Sequence, residues 1–369
     1  MTTSTIGVLI PARSARDVET EKSAKNVYVN ADSANLDDLD RAIVRALQVS
    51  PRGSFSLFAD TLSTSEQTVA RRYRRLHSTG VVRVTAVVNN EALGQTNWLV
   101  RIQCTPNGTA GLAQALAKRD DVGWVSISGG AAEVVCVVRS RTAADREGLL
   151  LDRLARTAPV LGLTTAMVLH PFLAGSADDW AGLKDALAPE QDRRLRRTGS
   201  AAASAPDDGG SAVRPPTIDR SDQAIMDAMV TDGRSTYAQL GAAAELSEGR
   251  AARRLQSLLD RGLLRMDVDL APQALGWDVA AQLWMTTSPA HLDPVGTALA
   301  QVSGMNFVAA ITGPHNVIAS VICRDHRHLY QLITREIGAI AGIRSLEVSP
   351  RMRTVKQAGA MVEHARLTT

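Results

Sequence analysis

Phe, Tyr and Trp together make up only 4% of this 369-residue chain, and cysteines number three. With so few aromatics, any core must be built from Ala, Leu, Val and Ile. Cys104, Cys136 and Cys323 are odd in number and lack CxxC spacing, which excludes a disulfide framework and a thiolate zinc centre. Cys136 lies inside the apolar run Val134–Val138 and reads as a small core residue. No uncharged apolar stretch approaches the roughly 18 residues of a membrane span. Ile6–Ile10 is too short for a signal-peptide core and has no basic residue before it, so the reading is cytoplasmic. Charge of neither sign dominates: the net is +3, and only a local cluster could attract a polyanion.

Catalytic signatures are missing as well. There is no G-x-S-x-G, no P-loop and no G-x-G-x-x-G, so no catalytic residue and no cofactor is assigned. Cys323, His326 and His328, with His315 nearby, do not have a zinc spacing and read as a solvated loop, so no metal is assigned. His77 and His170 stand alone and read as structural or solvent-facing.

What the chain does contain, it contains twice. Leu36–Gly94 lies over Ile218–Gly276 without a gap, and Asp37/Asp219, Asp40/Asp222, Arg52/Arg234, Ser65/Ser247, Arg71/Arg253, Arg72/Arg254, Leu76/Leu258 and Gly80/Gly262 coincide. A unit of roughly 135 residues is far longer than a solenoid repeat, so a whole module is duplicated. The expected organisation is a tail at 1–35, a first module divided at 36–94 and 95–173, and an inter-module segment at 174–216. A second module follows, divided at 217–276 and 277–352, then a tail at 353–369. In the inter-module segment, Asp178–Arg197 has helical spacing interrupted by Pro189, and Thr198–Pro216 reads as a flexible tether.

Each module has two halves. In the first, Asp37, Asp38 and Asp40 favour a helix N-terminus, and Leu39, Ile43 and Leu47 line one apolar face. A second helix covers Phe55 to about Leu62, a third runs Ser65–Ser78 with Ser65 as its cap, and Val81–Val88 reads as a strand. That order makes a winged helix-turn-helix. The second half reads as strand Trp98–Cys104, helix Thr109–Lys118, strands Val122–Ser128 and Glu133–Arg139, a helix from about Ala144 to Ala158, and strand Leu163–Leu169. The second module repeats it, with Gln282–Thr287, His291–Val302, Met305–Ile311, Val317–Ile322, His326–Ile340 and Ile343–Ser349. The fold class is therefore α+β: two tandem repeats, each a winged helix-turn-helix followed by a ferredoxin-like βαββαβ domain.

The third helix carries the sharpest chemistry. With Val69, Tyr73 and Leu76 inward, Gln67, Arg71, Arg74 and Ser78 point outward, flanked by Thr68 and Arg75, while Arg72 falls near the core edge. Guanidinium forks and an amide on one stripe suit the guanine and adenine edges of a major groove. In the second module Ala251, Leu255 and Leu258 point inward, and Gly249, Arg253, Gln256 and Asp260 outward, with Arg250 and Ser257 flanking. Arg74 has become Gln256 and Ser78 has become Asp260, which repels phosphate, so the first module is expected to bind DNA more strongly. The DNA-contact candidates are Ser65, Gln67, Thr68, Arg71, Arg72, Arg74, Arg75, Ser247, Arg250, Arg253, Arg254 and Gln256.

Each module resembles a complete member of the leucine-responsive regulator/AsnC family of transcription factors. Its pattern "LDxxDxxILxxLxxDGR … LSxxTVxRRVxRLxxxGVI … LG" is met by Leu36-Asp37, Asp40, Ile43, Thr68-Val69, Arg71-Arg72, Leu76 and Gly80-Val81-Val82. It is met again by Ile218-Asp219, Asp222, Ile225, Asp232-Gly233-Arg234, Leu246-Ser247, Arg253-Arg254-Leu255 and Leu258. The chain departs from it at Ser50-Pro51, Thr64 and Gly249-Arg250. The resemblance implies a regulator that binds double-stranded DNA, with a ferredoxin-like domain that senses an amino acid or other small molecule. It also implies self-association through those domains, either within the chain or between chains. The family's sensing loop "G-x-x-D" maps onto Gly129, Gly130 and Glu133 in the first module and Gly313, His315 and Asn316 in the second; neither keeps the aspartate. Two reading helices per pair imply two half-sites about one helical turn apart. Competing readings are a ligand-sensing module without DNA binding and an enzyme resembling sirohaem decarboxylase, which shares this fold.

Overall fold

A computed structural model describes residues 36–140, 154, 157–175, 180–198 and 216–368. The expected tail at 1–35, most of the helix expected at 144–158 and most of the tether lie outside the described residues.

The first repeat runs α1 (Asp38–Val49), α2 (Phe55–Leu62), α3 (Glu66–Ser78), β1 (Val82–Val88), β2 (Thr96–Cys104), α4 (Thr109–Ala117), β3 (Val122–Ser128), β4 (Glu133–Ser140) and β5 (Val160–Leu173). After the inter-repeat helix α5 (Pro189–Thr198), the second repeat runs α6 (Arg220–Thr231), α7 (Tyr237–Ala244), α8 (Glu248–Asp260), β6 (Leu264–Leu270), β7 (Val279–Thr287), α9 (Leu292–Ala300), β8 (Met305–Ile311), β9 (Val317–Cys323), α10 (His326–Gln331) and β10 (Ile343–Gln357). Two short strands, β11 (Ala360–Glu363) and β12 (Arg366–Thr368), finish the described chain.

Sequence determines these helix starts directly. Asp37 accepts the Asp40 amide at 2.9 Å while Asp40 accepts the Asp37 amide at 3.3 Å, so both orphan donors are satisfied. Ser65 accepts the Thr68 amide at 3.1 Å, as its capping position requires. Ile43, Leu47, Phe58, Val69 and Leu76 then bury their side chains almost completely in one core.

The repeats do not fold side by side; they interlock. The wings β1 and β6 pair antiparallel from Val82↔Leu270 to Val88↔Leu264. Trp277 and Leu270 of the second repeat join the first repeat's core, and Ala86 of the first joins the second's. Below the wings lies a ten-stranded sheet ordered β12-β11-β10-β3-β4-β2-β5-β8-β9-β7, and β7 pairs back onto β10. From β10 round to β7 the sheet therefore closes on itself, which removes open edges. The ferredoxin-like domains thus pair within one chain, a point the sequence left open.

Four expectations are corrected, two of them by this closure. The strands expected at 163–169 and 343–349 extend to Val160–Leu173 and Ile343–Gln357, because each serves two sheets in turn. β5 pairs with β2 up to Met167 and then with β8 from Val168. β10 pairs with β7 up to Pro350 and then with β3 from Arg351. The tail expected at 353–369 is instead the end of β10 and the β11–β12 hairpin through Thr368, because Val355 and Leu367 are buried and the Leu367 amide donates to the Gly80 carbonyl at 3.0 Å. Pro189 begins α5 instead of interrupting a helix, since a proline's fixed φ suits the first helical position. Leu187 and Leu195 bury against α1 and α2, and Arg45 pairs with Asp192 at 2.9 Å, fixing the inter-repeat segment on the first helix-turn-helix.

Candidate functional site

The outward face of α3 forms as its periodicity implies. Val69 and Leu76 are buried, Tyr73 is half-buried, and Ser65, Gln67, Arg71 and Arg74 are exposed, with Thr68 beside them. On α8, Ala251, Leu255 and Leu258 are buried, while Ser247, Arg250, Arg253 and Gln256 are exposed.

Several arginines expected on these faces already hold partners. Arg72 bridges Asp37 at 2.6 Å and Asp40 at 2.9 Å, and Arg75 reaches the same buried Asp40 at 2.5 Å. Arg254 repeats the pattern with Asp219 at 2.7 Å and Asp222 at 2.8 Å. The Arg72 guanidinium, followed by the Asp40 amide, holds the Asp37 carboxyl below the usual carboxylate range. Asp219 is lowered too, first by the Asp222 amide and then by Arg254. These contacts tie each reading helix to the start of the first helix of its own unit. Arg72, Arg75 and Arg254 thus act first as positioning residues, and Arg71, Arg74, Arg250 and Arg253 form the accessible stripe.

The two faces also differ chemically. The Gln256 amide donates to Asp260 at 2.7 Å, so a carboxylate occupies the group that replaces Arg74. On α3, Arg74 Nε donates to the Ala70 carbonyl at 3.2 Å, leaving the rest of the fork outward. A groove along α3 is lined by Arg71, Arg74, Arg75, His77 and Ser78, and the second repeat closes its far side with Asp232 and Arg234.

Arg234 enters because the two helix-turn-helix units clasp each other. Its guanidinium lies 4.6 Å from the centre of the Phe55 ring and 5.4 Å from that of Tyr73. Arg52 mirrors it over Tyr237 at 5.4 Å. Cation–π contact and carbonyl acceptors together hold both arginines across the pseudo-twofold.

The loops expected to hold an effector meet only in part. Glu133 accepts Arg101 Nε at 2.5 Å, and Arg101 also donates to Glu347 at 3.1 Å. His315 lies 3.6 Å from the Glu347 carboxylate and faces the Trp284 ring, over which Arg101 stacks at 4.8 Å. Glu133 of one repeat and His315 of the other thus join one charged cluster between the sheets. Asn316 is not part of it: its side chain caps the end of β7 through the Thr287 amide and carbonyl, both at 2.9 Å. Gly129, Gly130 and Gly313 have φ of 56°, 68° and 107°, so tight turns account for them. Arg101, Trp284 and Glu347 were not singled out from sequence, because each is a single polar or aromatic residue in an alternating strand.

Residues 36–77 and 218–259 match the AsnC-type helix-turn-helix domain family, and residues 280–361 match the Lrp/AsnC ligand binding domain family. Among curated proteins, the regulatory protein AsnC of Escherichia coli K12 is 28% identical over 148 residues, covering 38% of this chain and 96% of that protein. The transcriptional regulator LrpA of Pyrococcus abyssi is 23% identical over 127 residues, covering 34% of this chain and 90% of that protein. Among solved structures, the siroheme decarboxylase NirDL superposes with a TM-score of 0.57 at 12% identity, over 87% of this chain and 93% of that one. At that identity the likeness shows a shared fold.

Proposed function

Because the chain belongs to the Lrp/AsnC family of transcriptional regulators and carries the family's helix-turn-helix twice, we propose that it reads a bipartite DNA site through two unequal faces in one polypeptide. The observation that carries this reading is the accessible stripe of Arg71 and Arg74 on α3, set against Gln256 and Asp260 bonded to each other on α8. Arg71 and Arg74, with Gln67 and Thr68, read bases in the stronger half-site; Arg250 and Arg253 serve the weaker one mainly through phosphates. Ser65 and Ser247 sit at the helix N-termini where backbone amides meet phosphate. The charged cluster around Arg101, Glu133, His315 and Glu347 lies where a small-molecule effector could alter how the two sheets pack.

Equilibrium binding to DNA from around the gene itself and to random duplex, over a range of salt, tests this reading. The Arg71→Ala/Arg74→Ala chain should lose about 1–3 kcal/mol per base-reading arginine, with relaxed specificity. Arg250→Ala/Arg253→Ala should lose less and mainly flatten the salt dependence. Sequence-indifferent binding that ignores all four arginines would contradict it.

A second reading has one observation in its favour: NirDL matches along nearly the whole duplicated chain. Titration with sirohaem separates the two, since a tetrapyrrole enzyme would give a saturable Soret change and a regulator without that pocket would not.

A further inference from the structure

Strand register places residues of the two repeats at equivalent points inside the closed sheet. Leu99 lies between Ala166 and Val137, and its counterpart Gln282 lies between Ser349 and Ser320. Ala309 opposite Ile318 corresponds to Ser126 opposite Val135. Val168 opposite Ile311 corresponds to Arg351 opposite Ser128. One half of the interior is thus apolar at every one of these places, and Leu99, Ala166, Ala309 and Ile311 bury there with Val137 and Val168 against them. In the other half all but one of the counterparts are polar: Gln282, Ser349, Ser320, Ser126, Ser128 and Arg351, with Val135 in the place of Ile318 the exception. The apolar half shows that this fold closes without polar groups, so their concentration in one half is not a packing requirement.

The neutral members have partners, and one of these is a carboxylate: Ser349 Oγ donates to Glu133 Oε1 at 3.4 Å. Ser128 donates to Gln282 at 2.9 Å, and Gln282 donates back to Ser126 at 3.3 Å. Arg351 is not satisfied. It donates to Ser320 Oγ at 2.6 Å and lies 4.8 Å from the centre of the Trp124 ring, but no carboxylate lies within ion-pairing distance among the described residues. Its Nε is shielded from solvent and has no acceptor, while part of the side chain stays accessible. An enclosed guanidinium without a counter-charge is costly, and a planar fork is the group that accepts a carboxylate through two parallel bonds.

We propose that this polar half is a binding site for a small carboxylate, one per chain, with Arg351 as its anchor and Ser126, Ser128 and Ser320 as hydroxyl partners. The site adjoins the Arg101 cluster through the Ser349–Glu133 contact and gives a place to the effector named in the regulator reading, on which it rests only for its regulatory consequence. The apolar half offers no such anchor, so the duplicated sensor carries a single site.

Thermal unfolding of the full chain without DNA tests the proposal. The probes are the L-amino acids, pyruvate, 2-oxoglutarate and succinate, each beside its amide, with inorganic phosphate as a further anion. At least one acid should raise Tm by about 5 °C at roughly a hundredfold excess over its Kd, and its amide should not. Arg351→Met should abolish that shift, Arg351→Lys should weaken it if the Met variant does not fold, and Val168→Met in the apolar half should leave it intact. No response to any acid, an equal response to the amide or to phosphate, or a shift that survives Arg351→Met and Arg351→Lys would overturn it. A chain that binds no DNA would fail the regulator reading and leave this result standing.

Discussion

Arg52 and Arg234 occupy the same place in the two repeats, and each donates into the other's loop. Arg52 reaches the Gly233 carbonyl at 2.7 Å and the Ser235 carbonyl at 3.1 Å; Arg234 reaches Pro51 at 2.8 Å and Gly53 at 3.0 Å. The reciprocal clasp, together with the β1–β6 wing pair, fixes the distance and angle between the two reading helices.

Removing the clasp should therefore cost stability and coupling together. Arg52→Ala or Arg234→Ala loses charge-assisted bonds of about 1.5–3 kcal/mol in total, measurable by urea unfolding. Affinity for a bipartite site should fall more than affinity for an isolated half-site. Equal losses on both would mean that the clasp does not set helix spacing.

Arg83 and Asp269 form a buried ion pair across the wings at 2.7 Å, each about 7% exposed. Arg83→Met alone should destabilise by about 3–5 kcal/mol by stranding the carboxylate, and adding Asp269→Leu should recover most of that loss. A double variant as unstable as the single one would contradict this account of the wing.

The same pair predicts a pH dependence. Burial pushes the Asp269 carboxyl up to about 6 from 3.8, partly countered by Arg83. Over that window the folded chain keeps a proton that the unfolded chain has released. The contribution is therefore fully present below about 3.8 and lost as pH rises through 6. Unfolding free energy measured at a series of pH values should show this decline in the natural chain and not in Arg83→Met/Asp269→Leu. Parallel curves would contradict it.

Arg71 and Arg72 are adjacent, yet substitution should separate them. Arg71→Ala should leave Tm unchanged and weaken DNA binding. Arg72→Ala should lower Tm, because the buried Asp40 carboxylate would keep only Arg75. A matched fall in Tm for both would mean that α3 has no free reading stripe.

Much of this was legible in the sequence, for identifiable reasons. The helix-turn-helix units follow from capping residues and apolar stripes that act within a few residues, and the two copies confirm each other without a gap. Partner choice was not legible. Whether Arg75 faces a base or Asp40 depends on α1 packing, and whether Arg351 meets a carboxylate depends on a strand from the other repeat. The long reach of β5 and β10 also escaped notice, since strand pairing to a second sheet leaves no local periodicity. The polar half could have been seen by sliding β7 over β2, but one extra residue between wing and sheet breaks the ungapped register that revealed the duplication.

Hydroxyl-radical footprinting of one chain on its own operator tests the central claim most directly. Two protected segments centred about one helical turn, roughly 10 base pairs, apart are predicted. Arg71→Ala/Arg74→Ala should remove the stronger segment, and Arg250→Ala/Arg253→Ala only the weaker. A single protected segment, or two that fade equally with either pair of substitutions, would contradict the account.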